Sequence, residues 1–169
     1  MNAFREITPK EYIGNPFREI GDEWMLITAG TREKCNTMTA SWGGVGILWS
    51  KNVAYIFLRP SRYTKEFVDA ETSLSLCFFD DEWHKTLSYL GAVSGRDEDK
   101  IAKAKLTTYF DGDTPYFAEA RRVFLCRKLY AQELCPDCFV DPTIDPHCYP
   151  NKDYHTMYVC EIEKILIKE

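Results

Sequence analysis

The sequence predicts an all-β-dominated fold with a few short helices, closed as a β-barrel rather than a sandwich or an α/β sheet. Short strand signals recur from residue 24 to residue 79, broken by glycine-rich and Ser-Lys-Asn segments. Two longer strand signals, 122–133 and 156–168, close the chain. Only short helical stretches lie between them, which favours the barrel.

Taken in order, Thr8-Pro9-Lys10-Glu11-Tyr12 predicts a short helical turn, and Asn15-Pro16-Phe17 an extended segment after it. Strands follow at 24–30, around 37–42, at 47–49 and at 53–59. Gly43-Gly44-Val45-Gly46 and Ser50-Lys51-Asn52 read as the turns between them. The run Val53-Ala54-Tyr55-Ile56-Phe57-Leu58 is continuously apolar, as for a strand covered on both faces. A helix over 65–70 follows, with Ser61 or Thr64 as its cap. Residues 72–79 alternate, Leu74, Leu76 and Phe78 against Ser73, Ser75 and Cys77, which predicts a half-buried strand. Helical stretches at 82–90 and 98–104 flank a turn at Ser94-Gly95-Arg96-Asp97. Asp111-Gly112-Asp113 is a surface turn, and a Pro- and Asp-rich loop separates the two long final strands.

At 169 residues the chain reads as one domain with room for a substantial core, and 45% hydrophobic and 14% aromatic content argue for packing rather than disorder. A net charge of −5 leaves no basic footprint for nucleic acid or an anionic membrane. Any anionic ligand therefore needs a local cluster of cations. No apolar run reaches the length of a membrane span, and the N-terminus has no basic-then-apolar signal segment, so a cytoplasmic protein is expected. The seven cysteines (35, 77, 126, 135, 138, 148 and 160) then read as reduced thiols rather than a disulfide framework.

The segment Asn36-Thr37-Met38-Thr39-Ala40-Ser41-Trp42-Gly43-Gly44 has the most chemical content. Small hydroxyl residues let a ligand approach the backbone while offering N–H and O–H donors to a phosphate or a heterocycle edge. The same nine residues also read as a bulge and turn between strands, and alone they do not separate the two. Arg59-Pro60-Ser61-Arg62-Tyr63-Thr64 places two guanidinium groups and hydroxyls where a strand gives way to a helix, which suits an anion or a plain capped helix. Ser94-Gly95-Arg96-Asp97 with Lys100 is, by itself, a cap with an i,i+3 Asp–Lys pair. Asp153-Tyr154-His155-Thr156 opens the last strand. His155 there could contact a cofactor, although a bond to neighbouring backbone is the commoner arrangement.

Cys135-Pro136-Asp137-Cys138, with His147-Cys148 downstream, has the residue types of a zinc site or a redox dithiol. Adjacent His-Cys ligands strain tetrahedral geometry, and the redox motif belongs at a strand-to-helix turn, so neither is favoured. No Walker loop and no GxGxxG are present, which excludes the nucleotide folds built on them.

Taken together and in this order, 36–44, the strand Gly46-Ile47-Leu48-Trp49, Arg59–Thr64, Ser94–Asp97 with Lys100, and Asp153-Tyr154-His155 resemble the flavin reductase-like family of FMN-binding split-barrel proteins, in its flavoredoxin-like branch. The resemblance runs from about Asn15 to the C-terminus. It implies a six-stranded split β-barrel and a homodimer with one FMN per subunit near the interface. It further implies that Asn36, Thr37, Met38, Thr39, Ala40, Ser41 and Trp42 line the flavin. Arg59, Arg62, Tyr63 and Thr64 would lie at its phosphate or pyrimidine edge, and Ser94 and Lys100 would complete the cradle. His155 matches a Gly-Asp-His element near the nicotinamide side in some members, with Tyr154 inserted here. On this basis His155 is the candidate catalytic residue, no metal is expected, and NAD(P)H is the expected electron donor. The function so implied is an NAD(P)H-dependent FMN reductase whose electron acceptor, small molecule or protein, the sequence does not name. The alternatives are an electron-transfer flavoprotein without nicotinamide turnover and a zinc-stabilised binding module built on Cys135, Cys138, His147 and Cys148.

Overall fold

The computed structural model describes residues 4–169. Strand β1 (Phe4–Ile7) leads to a 3-10 turn (Pro9–Glu11) and helix α1 (Pro16–Gly21). Strands β2 (Met25–Gly30), β3 (Cys35–Ala40), β4 (Gly43–Leu48) and β5 (Lys51–Leu58) follow, then α2 (Thr64–Ala70) and β6 (Ser73–Phe78). Helices α3 (His84–Ala92) and α4 (Lys100–Lys103) precede a hairpin of β7 (Thr108–Asp111) and β8 (Thr114–Phe117). The long strands β9 (Arg122–Glu133) and β10 (Thr156–Lys168) flank a short helix α5 (Ile144–Cys148).

Eight strands form one antiparallel sheet in the order β3-β2-β6-β9-β10-β5-β4, with β1 added beside β10. The two ends of this path, β3 and β4, are consecutive in the chain but not hydrogen-bonded to each other. They are joined only by Ser41 and Trp42, so the barrel is split there. Its interior is packed by Met25, Ile27, Met38, Ile56, Leu58, Leu76, Phe78, Phe124 and Tyr158. A second core lies outside the wall, where α3 and β8 cover β2, β6 and β9 through Leu26, Leu87, Leu90, Phe117, Val123 and Leu125.

The predicted barrel and its two closing strands are present at the predicted positions. Several local expectations are not. Residues 15–17 begin helix α1 instead of an extended segment, because Asn15 accepts the Phe17 N–H and Pro16 occupies the first turn. Gly43–Gly46 is strand, not turn. The Tyr55 backbone oxygen would lie 2.7 Å from a Cβ at residue 43, so only glycine lets β4 pair there. The turn falls instead at Trp49-Ser50, both at positive φ (50° and 58°), in a two-residue hairpin. Strand β5 is not covered on both faces, since Tyr55 and Phe57 are only half-buried; β2 is the strand buried throughout. Strand β6 is buried rather than half-buried beyond Ser73, because Ser75 donates to the Pro115 carbonyl (2.6 Å) and β8 covers that face. Neither Ser61 nor Thr64 caps α2; Tyr63 holds the cap position without a side-chain bond. Asp111-Gly112-Asp113 is a turn as expected, flanked by the unpredicted β7 and β8.

The close approach at residue 43 yields a stability test. Gly43→Ala should lower the free energy of unfolding by about 1–3 kcal/mol through overpacking against backbone that cannot retreat. Gly21→Ala, where a Cβ meets nothing within 4 Å, should leave it unchanged in urea denaturation.

Candidate functional site

The site forms around the split. Two adjoining cavities lie there, of about 230 and 160 Å³, and Met38 and Arg62 line both. Thr39, Ala40, Ser41, Trp42, Phe57, Arg59 and His155 complete the first. Asn36, Ser61, Tyr63, Thr64, Ser94, Gly95 and Lys100 belong to the second. Every predicted site residue except Thr37 therefore lines one cavity or the other.

Thr37 is the exception because its hydroxyl is fully buried, 2.8 Å from that of Thr28 and 3.1 Å from the Ile27 carbonyl. Nor are all the remaining hydroxyls free for a ligand. Thr39 donates to the Leu87 carbonyl at 2.5 Å, fastening β3 to α3. Buried Thr64 accepts from Asn36 Nδ2 at 2.9 Å, which joins β3 to the start of α2. Its own hydroxyl proton remains available.

Cations dominate the electrostatics. Arg62 donates to the Gly91 carbonyl at 2.6 Å. Buried Lys100 donates to the carbonyls of Leu90 (2.8 Å) and Val93 (2.9 Å), not to Asp97 as the spacing had suggested. Both side chains thus satisfy the open carbonyls at the end of α3 and sit at the negative pole of its dipole. That pole carries roughly half an elementary charge, against two full cations, and no carboxylate bonds to either. The site is therefore positively charged in an acidic protein. Burial, reinforced by Arg62, pulls the Lys100 ammonium down to about 8. Burial and the charge of Arg59 lower Arg62 as well.

Arg59 differs in having an acid partner. Its guanidinium pairs with Asp153 at 2.8 Å, donates to the Cys148 carbonyl at 2.9 Å and lies 5.0 Å from the Tyr149 ring centroid. The hydrogen bond from Arg59 holds the Asp153 carboxyl below its ordinary range. Asp153 itself lines neither cavity. His155 stands in an aromatic wall, 5.1 Å from Trp42 and 6.5 Å from Phe57 between ring centroids. Its Nδ1 lies 2.8 Å from the Tyr149 hydroxyl. Burial first, then Arg59, bring its pKa down to about 4, so the imidazole is neutral at neutral pH and holds no extra proton to give.

Gly95 completes the second cavity. A Cβ there would overlap the Asn36 amide, so the loop after α3 can close on β3 only as glycine. A larger space of about 530 Å³ opens beyond it, where Glu33, Glu98 and Asp99 stand with Lys34 and Lys100, so its charge is mixed. Sequence reasoning missed Phe57, Tyr149 and the α3 carbonyls. Phe57 lies in a continuous apolar run that reads as covered, and the others come from elements with no ligand-type pattern. Among the described residues no three His, Cys, Asp or Glu side chains converge as metal ligands would, so Cys135, Cys138, His147 and Cys148 form no zinc-type cluster. All seven cysteines are free thiols, and among the described residues no helix is long and apolar enough to cross a membrane.

The depressed pKa of His155 has a signed consequence. Between pH 6.5 and about 4 the unfolded chain binds a proton at His155 that the folded chain does not. Stability should therefore fall as pH drops through that window, whereas carboxylates held low by ion pairs, such as Asp153, act below it. Urea midpoints measured from pH 7 to 4.5 should show the slope, and His155→Gln should flatten it.

No family model matches the sequence, and no curated protein aligns with it significantly. Solved structures do resemble the fold. Flavoredoxin from Methanosarcina acetivorans superposes with a TM-score of 0.69 at 21% identity, covering 87% of this chain and 69% of that one. An FMN-binding domain of a flavin reductases-like enzyme from Shewanella baltica OS155 gives 0.71 at 14% identity, over 99% and 78%. A split-barrel domain from Shewanella frigidimarina NCIMB 400 gives 0.68 at 15%, over 87% and 67%. At these identities the shared property is architecture. With the strand order and the open seam between β3 and β4, it identifies the fold of this chain as the split barrel seen in these flavoproteins.

Proposed function

We propose that the chain is an FMN-binding flavoprotein, and that it works as an NAD(P)H-dependent flavin reductase. The observation that carries the first part is the pair Arg62 and Lys100, two cations with no carboxylate partner in a protein of net charge −5. Ser61, Thr64 and Ser94 add hydroxyls in the same cavity. Trp42, Phe57 and His155 offer flat surfaces in the adjoining cavity. These donors fit a phosphate joined to a planar ring, and the fold is one that flavoredoxin and an FMN-binding domain share.

FMN, when bound, supplies the hydride and electron chemistry. The protein's share is binding and orientation. Arg62 and Lys100 would neutralise the phosphate, and the backbone from Thr39 to Trp42 would follow the sugar chain across the split. His155, neutral and fixed by Tyr149, would position the ring edge through its remaining nitrogen without adding charge. No side chain is required as a nucleophile. Trp42 keeps 47% of its surface exposed, which supports an open face for a nicotinamide donor.

The reading includes a homodimer. Phe17 (90% exposed), Trp42, Ile47 (69%) and Trp49 (56%) leave apolar surface on α1, the split and the hairpin of β4. Light scattering should give twice the chain mass of 19.6 kDa.

Arg62→Ala and Lys100→Ala should each cost about 1.5–3 kcal/mol of FMN affinity, the range for charge-assisted hydrogen bonds. Affinity should also weaken as pH rises through about 8, where Lys100 loses its proton, and Lys100→Met should remove that dependence. Purified protein should show flavin absorbance, or acquire it on adding FMN, and NADH or NADPH without air should bleach it. Bound flavin that neither nucleotide bleaches would favour an electron-transfer protein, and failure to bind FMN would overturn the whole reading.

A further inference from the structure

The Cys135-Pro136-Asp137-Cys138 segment lies outside the proposed cradle and has its own geometry. It folds as a 3-10 turn, with the Cys138 N–H donating to the Cys135 carbonyl at 3.0 Å. In 3-10 geometry residues three apart lie on the same side. A hydrogen-bonded turn keeps their Cα atoms within about 7 Å, close to the span of a disulfide. Both thiols are exposed. Cys135 beside it holds the Cys138 thiol above its ordinary pKa. Cys77, Cys126 and Cys160 are different, being buried in the core with pKa values raised by burial.

The turn is also held at both ends against the cavity wall. Before it, the Leu134 N–H donates to the His155 carbonyl at 2.9 Å. After it, the Phe139 ring lies 5.8 Å from that of Tyr149, whose hydroxyl meets His155 Nδ1. A turn fixed in this way presents its two sulfurs to solvent in one arrangement.

We propose that Cys135 and Cys138 are a redox-active dithiol that exchanges with low-molecular-weight disulfides. Cys135 attacks as thiolate. It forms a mixed disulfide with one sulfur of the small molecule and expels the other as a thiolate, which takes up a proton. Cys138 then loses its proton and attacks the Cys135 sulfur, expelling the second small thiol. One Cys135–Cys138 bond forms and the external disulfide bond is lost. Two electrons and two protons pass to the small molecule, and an excess of small thiol reverses the exchange. The proposal stands apart from flavin binding.

The test uses the full chain, reduced and then equilibrated without air in glutathione buffers of increasing oxidised fraction, alkylated and digested. The expected result is that the peptide holding Cys135 and Cys138 passes from doubly alkylated to a form two hydrogens lighter than the unmodified dithiol, and returns with dithiothreitol. Cys135→Ser and Cys138→Ser, both surface changes, should each abolish the linked form. The proposal is overturned if both cysteines stay alkylated at every ratio. It is also overturned if Cys148 pairs with either of them, or if either variant loses the same two hydrogens.

Discussion

Strand β10 has two edges and must serve three partners. One edge pairs with β9 along its length. The other pairs with β5 over residues 156–161 and with β1 over residues 165–168. Register shifts at Val159/Cys160 and Ile162/Lys164 bend the strand between these regions. The sheet therefore coils around a core built on Tyr158, Ile162 and Ile165. It runs out at β3 on one side and at β4 on the other, so the seam falls at Ser41-Trp42. A ligand cavity at that seam follows from the pairing of β10, which also places His155 immediately before its first residue.

The electrostatics follow from how the seam is filled. Helix α3 packs outside β3 and ends with open carbonyls facing α2 and α4. Arg62 reaches them from the loop before α2, and Lys100 from the first residue of α4. Neutral donors would have sufficed to satisfy carbonyls. A buried Lys100 and a half-buried Arg62 exceed what a helix end needs, since the dipole offsets only a fraction of one charge. The excess is what makes the cavity an anion site. The threonine hydroxyls hold the frame of the site. Thr37, Thr39 and Thr64 bond inside the protein and hold β3, α2 and α3 together, so the cations meet in one place.

Much of this was legible in the sequence, and the failures have physical causes. Strands β9 and β10 were clear because long apolar periodicity survives any packing. Strand β4 was hidden because Gly43, Gly44 and Gly46 carry turn chemistry, whereas Tyr55 supplies the bulk that their missing side chains leave out. The cover on β6 depends on β8, forty residues away, and no local pattern reports it. Within the site, the residue types were visible but their use was not. Thr37 shares the composition of its neighbours and differs in that Thr28 and the Ile27 carbonyl of β2 take up its hydroxyl. Lys100 is spaced for a surface pair with Asp97 yet turns inward, because α3 ends beside it.

The central claim is that Arg62 and Lys100 hold a phosphate and that the aromatic seam holds the ring. Calorimetric titration of the purified chain at pH 7 with FMN and, separately, with riboflavin isolates that claim, because the two ligands differ only in the phosphate. The account predicts that FMN binds at least a hundredfold more tightly, the worth of two charge-assisted contacts at about 1.5 kcal/mol each. Equal affinities for the two would contradict it.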